Sequence, residues 1–367
     1  MTRIAAVRGA LPLHRYTQSD ITAAFADVIG SEGMDRALLE RMHRNAGVAH
    51  RHLALPLEDY VGLPDFGAAN DAFIAAGVEL GAQALDAALK AADLAPEDVD
   101  LVISTTITGL AVPSLDARLS GQVGLRPDVK RVPIVGLGCV AGAAGIARLH
   151  DYLVGHPQQV AVLLSVELCS LTLQRQDTSV ANLVASGLFG DGAAAVVAVG
   201  AAHPRAEARE PMIAGEPSGL GIAGPEILDS RSRLYPDSER AMGWDVGSGG
   251  LRIVLGAEVP ELVRAHVGAD VDVFLASNGL ERSDISWWVC HPGGPKVLRA
   301  MQAALDVGPE ALAVTWASLR DVGNLSSASV LHVLADTLAE RTPARGTYGV
   351  AMAMGPGFCL ELVLMRA

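Results

Sequence analysis

VGLGCVAGAAG, residues 135–145, follows the apolar run Val132–Val135 and leads into small residues that keep helical spacing to Leu153. A β-branched run reads as a strand, the glycines as a turn, and the alanine-rich continuation as a helix. Strand, tight turn and helix in that order form the unit of an α/β fold, and Cys139 sits where the helix begins. A thiol there feels the positive end of the helix dipole, which favours the thiolate. The flanking glycines allow a substrate or a second backbone to come close. A free cysteine is also a small hydrophobe that fills cores, and Cys139 alone leaves that reading open.

The pattern repeats outward from this stretch. Asp71–Leu94 has apolar spacing near that of a helix and stops before Pro96, and Val99–Ser104, Val160–Val166 and Gly192–Val199 read as buried strands. Residues 201–245 are richer in Pro, Gly and charge and show no period, so they read as a connecting segment. Beyond them come a helix over Val259–Leu280, a strand over Trp287–Cys290, a helix over Pro295–Leu305, a helix after Asn324, and strands over Tyr348–Met354 and Phe358–Met365. The two halves rhyme: GDG at 190–192 stands where GPG stands at 355–357. The expected architecture is an α/β fold made of a duplicated unit, with residues 1–200 as one half and 246–367 as the other, helices covering both sheet faces.

The 367-residue chain is 50% hydrophobic and only 19% charged, which suits a large buried core and argues against disorder. Its formal charge of −13 comes with no basic stripe, so a nucleic-acid partner is not expected, and any anionic ligand must be held by a few placed cations or helix N-termini. The four cysteines show no metal-ligand spacing and read as free thiols of a reducing compartment. No metal and no cofactor are expected. Neither a signal peptide nor a membrane span is read, and the expected location is the cytoplasm.

Two further residues share the setting of Cys139. His291 follows a strand in WWVCHPGGPKVL, where Pro and Gly brace the turn that projects it. Asn324 lies in DVGNLSSASVLHVL, directly before an apolar helix. It reads either as a helix cap or, if Ser326 or Ser327 does the capping, as a neutral donor for an oxyanion. Cys, His and Asn, each in a glycine-marked turn at an element boundary, are hard to obtain from core packing alone.

With HPGGPKVL and GNLSSASVL quoted, the resemblance to a known family becomes specific. TTITGLAVPSLDARL, GLRPDVKR, SGLFGDGAAAVV, MGWDVGSGGL and GPGFCLELVLMR also follow the family in order. The chain resembles the chalcone and stilbene synthases, the type III polyketide synthases of the thiolase-like fold, whose halves stack in αβαβα layers. The resemblance implies that Cys139 carries the starter and growing chain as a thioester and that His291 sustains its thiolate. It implies that His291 and Asn324 together donate to the thioester oxygen of malonyl-CoA during decarboxylation. Acyl-CoA and malonyl-CoA would be the substrates and a homodimer the assembly. Phe189 and Ile253 fall at the two gate positions of the cavity mouth. Thr108, Val112, Cys169 and Thr172, with Ser326 and Pro356, are expected around the substrate, and Arg41, Arg44 and Lys296 around the coenzyme A phosphates. Thr108 with Cys169 is similar to the bacterial alkylpyrone and alkylresorcinol synthases, which implies a tunnel for a fatty acyl tail.

Two other readings stay open. An initiating ketoacyl-ACP synthase uses the same three residues on the same fold but differs from HPGGP and GPG. A non-catalytic acyl-binding protein of this fold would keep Cys139 at ordinary thiol reactivity.

Overall fold

The computed structural model describes residues 2–29, 35–206, 224–247 and 249–367. Nine strands form one sheet in the order Ile285–Cys290, Tyr348–Gly355, Cys359–Arg366, Glu226–Leu234, Thr2–Ala10, Asp191–Gly200, Val160–Leu168, Val99–Thr105 and Lys130–Ile134. The first four belong to the C-terminal half and the last five to the N-terminal half. Strands Val160–Leu168 and Asp191–Gly200 are buried at every position, which is why they read as continuous apolar runs with no alternation.

The half-sheets meet over only two residue pairs, Thr2 with Ile227 and Arg3 with Glu226. Arg3 and Arg366 both reach Glu226, each at 2.6 Å, and pin that seam. Away from it the halves are held apart by two helices, Ala141–Gly155 and Ser327–Glu340, which touch each other and strands of both halves. Separate apolar cores fill the space outside each half-sheet and the space between them. The result is the thiolase-like αβαβα stack.

A helix covered on all sides has no room for large side chains. Ala141 to Ala147 are all buried. A Cβ on Gly142 would fall on the Ser327 carbonyl oxygen and stand 2.6 Å from Val330 Cγ1. The alanine and glycine richness of this stretch is therefore a packing requirement.

The outer helix of the N-terminal half runs Phe66–Ala91, starting five residues before the periodicity indicates because Asp65 caps it through the Ala68 amide at 2.9 Å, and stopping three residues sooner. By length and composition it could cross a membrane, but it packs on the strands Thr2–Ala10, Val160–Leu168 and Asp191–Gly200 and buries Phe73, Leu80 and Leu85 against them.

The reading of residues 201–245 as a connection requires correction. Glu226–Leu234 is a strand of the main sheet, paired along its length with Cys359–Arg366. Its sequence EILDSRSRL is mostly polar because only its start is buried at the seam, so no apolar run announced it. Met242–Gly247 pairs with Gly250–Leu255 in a separate hairpin. Residues 207–223 of the expected connection lie outside the described residues, as does residue 248 of the MGWDVGSGGL motif.

The central layer makes a testable distinction between glycines. Gly142→Ala forces the two helices apart and should cost about 1–3 kcal/mol. Gly121→Ala, in the helix Leu115–Val123 with nothing near its Cβ, should gain up to about 1 kcal/mol from helix propensity. Urea midpoints that move equally for both variants would contradict the layered packing.

Candidate active site

Cys139 lies in the single turn Gly138–Val140 that joins the edge strand Lys130–Ile134 to the central helix Ala141–Gly155. The turn needs glycine twice, at Gly136 (φ +96°) and Gly138 (φ +55°). A Cβ on Gly138 would stand 2.8 Å from Pro356 Cδ, so the Gly355–Gly357 turn closes over the nucleophile. Cys139 Sγ donates to Ser326 Oγ at 3.7 Å. Burial pushes the thiol up to about 12, against the smaller pull of Ser326.

His291 follows the strand Ile285–Cys290 and is held by its own amide on the Met352 carbonyl at 2.9 Å. Its Nδ1 is buried without a hydrogen-bond partner, which leaves Nε2 as the nitrogen available to the cavity. Burial lowers the imidazole to about 3, so an isolated His291 is neutral. No hydrogen bond joins Cys139 to His291 here; each group taken singly favours its uncharged form. The thiolate that the helix start predicts must therefore come from the pair, not from the dipole alone.

Asn324 precedes the second central helix. Its Oδ1 accepts from the Ser326 amide at 2.9 Å and from Ser329 Oγ at 3.3 Å, which commits the oxygen to the turn and leaves the amide nitrogen for the cavity. Ser326 is the residue at the cap position but makes no side-chain capping bond. Its backbone sits at φ +49°, ψ −127°, a strained conformation for a residue with a Cβ and of the kind that collects at functional sites.

Cys139, His291 and Asn324 converge on one cavity of about 540 Å³. Cys169, Phe189, Ile253, Ser326, Pro356 and Lys296 line it as well. Three expected positions, Thr108, Val112 and Thr172, do not line it as the sequence suggested. Thr108 is turned away, its hydroxyl donating to Glu167 Oε2 at 2.9 Å and accepting from the Leu168 amide, and its neighbour Ile107 takes the cavity wall. Val112 is 94% exposed and touches no described cavity, since it lies on a surface loop before Pro113. Thr172 folds back on the Cys169 carbonyl at 2.7 Å and lines not the Cys139 cavity but a void of about 20 Å³ behind Cys169 and a separate cavity of about 760 Å³ beside Tyr60 and Phe66. Arg41 and Arg44 are exposed on the helix Arg36–Asn45, and it is Met42 and Asn45 of that helix that reach the cavity.

Lys296 stands exposed at the mouth, in the first turn of the helix Pro295–Leu305. Arg41 and Arg44 are the nearest match to the phosphate cations expected on the other side. The sequence missed Val180 and Val184, whose four-residue spacing puts both on the cavity face of the helix Val180–Leu188, and Met242 and Trp244 of the separate hairpin. The GWD motif around Trp244 was the available signal. Among the described residues no cluster of His, Cys, Asp and Glu has a metal-binding arrangement.

Chemically, a thiol, a neutral imidazole and an amide donor around a largely apolar cavity can accept an acyl group and stabilise an oxyanion beside it. Comparison with known proteins agrees. The chalcone and stilbene synthase N-terminal domain model matches residues 1–203 and the C-terminal domain model residues 226–367. A Streptomyces peucetius subsp. caesius protein named 1,3,6,8-tetrahydroxynaphthalene synthase is 56% identical over 365 residues, spanning 100% of this chain and 93% of that protein. An α-pyrone synthesis polyketide synthase-like protein of Mycobacterium tuberculosis is 31% identical over 73% of this chain and 65% of its own. The crystal structure of tetrahydroxynaphthalene synthase from Streptomyces coelicolor, a bacterial type III polyketide synthase, superposes with a TM-score of 0.89 at 28% identity, covering 99% of both chains. This chain belongs to the chalcone and stilbene synthase family and is a bacterial type III polyketide synthase, an acyltransferase that condenses malonyl-CoA.

Proposed function

We propose that Cys139 carries the growing chain and that malonyl-CoA both primes and extends it, giving a compact polyhydroxylated aromatic with no alkyl tail. The observation that carries the first part is the convergence of Cys139, His291 and Asn324 on one cavity. His291 Nε2 and Asn324 Nδ2 donate to the thioester oxygen of malonyl-CoA. Carbon dioxide leaves, the enolate remains, and its carbon attacks the Cys139 thioester while Sγ departs as thiolate. Lys296, Arg41 and Arg44 attract the coenzyme A phosphates.

Two observations support malonyl priming over a fatty starter. The wall at Cys169 is backed by a void of about 20 Å³, room for about one water, and Thr108 is tied to Glu167 and does not line a passage. The 56%-identical relative is named for a tetrahydroxynaphthalene, whose ten ring carbons are what five malonyl units leave after losing five carbon dioxides. An alkylpyrone or alkylresorcinol product from a fatty acyl-CoA is the second reading, supported by the apolar face of Val180 and Val184 and by the pyrone-forming relative.

A homodimer is proposed as well. Lys130–Ile134 is an edge strand with exposed residues, and Leu110, Val112, Val132 and Val135 put apolar side chains on the surface. The four unpaired thiols suit the cytoplasm.

Malonyl-CoA alone should yield an aromatic product by mass spectrometry, and Cys139→Ala should yield none and carry no acyl adduct. A product that forms only with added long acyl-CoA, and keeps its tail, would overturn malonyl priming in favour of the alkyl reading.

Iodoacetamide tests the thiolate. In wild type, the ion pair should make alkylation of Cys139 nearly flat between pH 6 and 9, these limits following roughly from the titration range of paired thiolates. In His291→Ala only the smaller pull of Ser326 opposes burial, the thiol stays well above neutrality, and the rate should climb about tenfold per pH unit over the same range. Identical profiles would remove His291 from thiolate formation.

Sedimentation at micromolar concentration should give twice the 38.0 kDa chain mass, and a monomer would refute the dimer.

A further inference from the structure

Arg51 is 1% exposed, a buried cation that neither the sequence motifs nor the catalytic steps above use. It lies in the strand His50–Leu53, next to Gln18 at the start of the helix Gln18–Val28. A buried guanidinium is costly unless its donors are placed; Nη2 of Arg51 is buried without a partner, while its other two nitrogens bond the 187–190 segment directly or through Gln18. Arg51 Nη1 donates to the Phe189 carbonyl at 2.7 Å, and its Nε donates to Gln18 Oε1 at 3.1 Å. Gln18 Nε2 in turn donates to the Gly187 carbonyl at 2.6 Å.

The same segment grips Asn324. The backbone amide of Asn324 donates to the Leu188 carbonyl and the Gly190 backbone amide donates to the Asn324 backbone carbonyl, both at 2.9 Å, a short parallel bridge between Phe189 and Asn324. Carbonyls 187 and 189 are thus fixed by Gln18 and Arg51, and carbonyl 188 between them by Asn324. The stem of Arg51 also fills the space behind the bridge, where a Cβ on Gly323 would stand 3.3 Å from Arg51 Cγ and Cδ, and one on Gly190 3.6 Å from Cγ. Asp191, whose carboxylate accepts from the Ala54 and Ser170 amides at 2.6 and 2.8 Å, supplies the nearby negative charge.

We propose that Gln18 and Arg51 are positioning residues that set the Asn324 amide against the substrate through the 187–190 segment. This rests on the decarboxylation role given to Asn324 above. Arginine suits the place because its planar fork spans two acceptors at fixed angles, which a lysine cannot do. A displacement of the donor by a fraction of an ångström to one ångström costs on the order of tenfold to a hundredfold in rate without changing substrate affinity.

The test is a double-mutant cycle on malonyl-CoA decarboxylation, read as carbon dioxide release, with Cys139 alkylation as the parallel measurement. Gln18→Ala and Arg51→Lys should each lower kcat about tenfold, leave KM and the alkylation rate unchanged, and cost almost nothing further on an Asn324→Ala background. A part that merely holds the fold would lower all of these together and add its loss in both backgrounds; either result overturns the clamp, as does normal decarboxylation by the single variants. If Arg51→Lys does not fold, Gln18→Ala decides, since it removes one neutral side chain. Full decarboxylation by Asn324→Ala would overturn the role of Asn324 and the clamp with it, whereas an impaired Asn324→Ala with additive losses would overturn the clamp alone.

Discussion

The close approach of two central helices at their first turns is the contact on which the site depends. Gly142, in the first turn after Cys139, faces the carbonyl of Ser327, in the first turn after Asn324. Cys139, the proposed nucleophile, comes from one half of the duplicated fold and Asn324, the proposed amide donor, from the other, and this contact sets the distance between them. A methyl group at Gly142 would separate the halves where the chemistry needs them joined. The small-residue composition of the stretch is thus tied both to packing between two sheets and to catalytic geometry.

A polar network fixes the same junction. Glu167, at the end of a fully buried strand of the first half, accepts from the Ser327 hydroxyl of the second half and from the Ile107 amide at 3.1 Å and Thr108 Oγ1 at 2.9 Å. Ser165 bonds the same Ser327 hydroxyl at 2.7 Å. Burial pushes the Glu167 carboxyl up, and these donors pull it back down. Losing one donor would leave a buried oxygen unsatisfied, which costs about 1–3 kcal/mol and more if charged. Apolar packing sets how near the helices come, and this network sets their register.

Much of this was legible in the sequence because Cys139, His291 and Asn324 each interrupt a periodic run at an element boundary, where glycine and proline mark the turn. Phe189 and Pro356 were expected only through the family resemblance, and both line the cavity. Position along the chain does not tell which way a side chain faces. Thr108 and Ile107 are adjacent, and the one chosen for the cavity is tied to Glu167 while the other forms the wall. Val112 failed differently, since it sits on a loop whose exposure no periodicity encodes. Arg51 was invisible because its partners, Gln18 and Phe189, lie 33 and 138 residues away, so no local motif contains them. The strand Glu226–Leu234 was missed because a strand at a seam needs few apolar residues.

The electrostatics of the site follow from the burial of its groups. Burial, against the smaller pull of Ser326, moves the Cys139 thiol to about 12, and burial moves the His291 imidazole to about 3, so neither charge is stable by itself. A proton passing from sulfur to imidazole creates both charges at once, and each then stabilises the other in a medium that screens them weakly. The same weak screening would strengthen donors aimed at the enolate proposed above. A wetter cavity would make an isolated thiolate easier to form and would weaken the stabilisation of the enolate. The proposed chemistry therefore rests on pairing: a Cys139 thiolate would need His291, and Ser326 and Ser329 already occupy the Asn324 side-chain oxygen, leaving its nitrogen for a substrate.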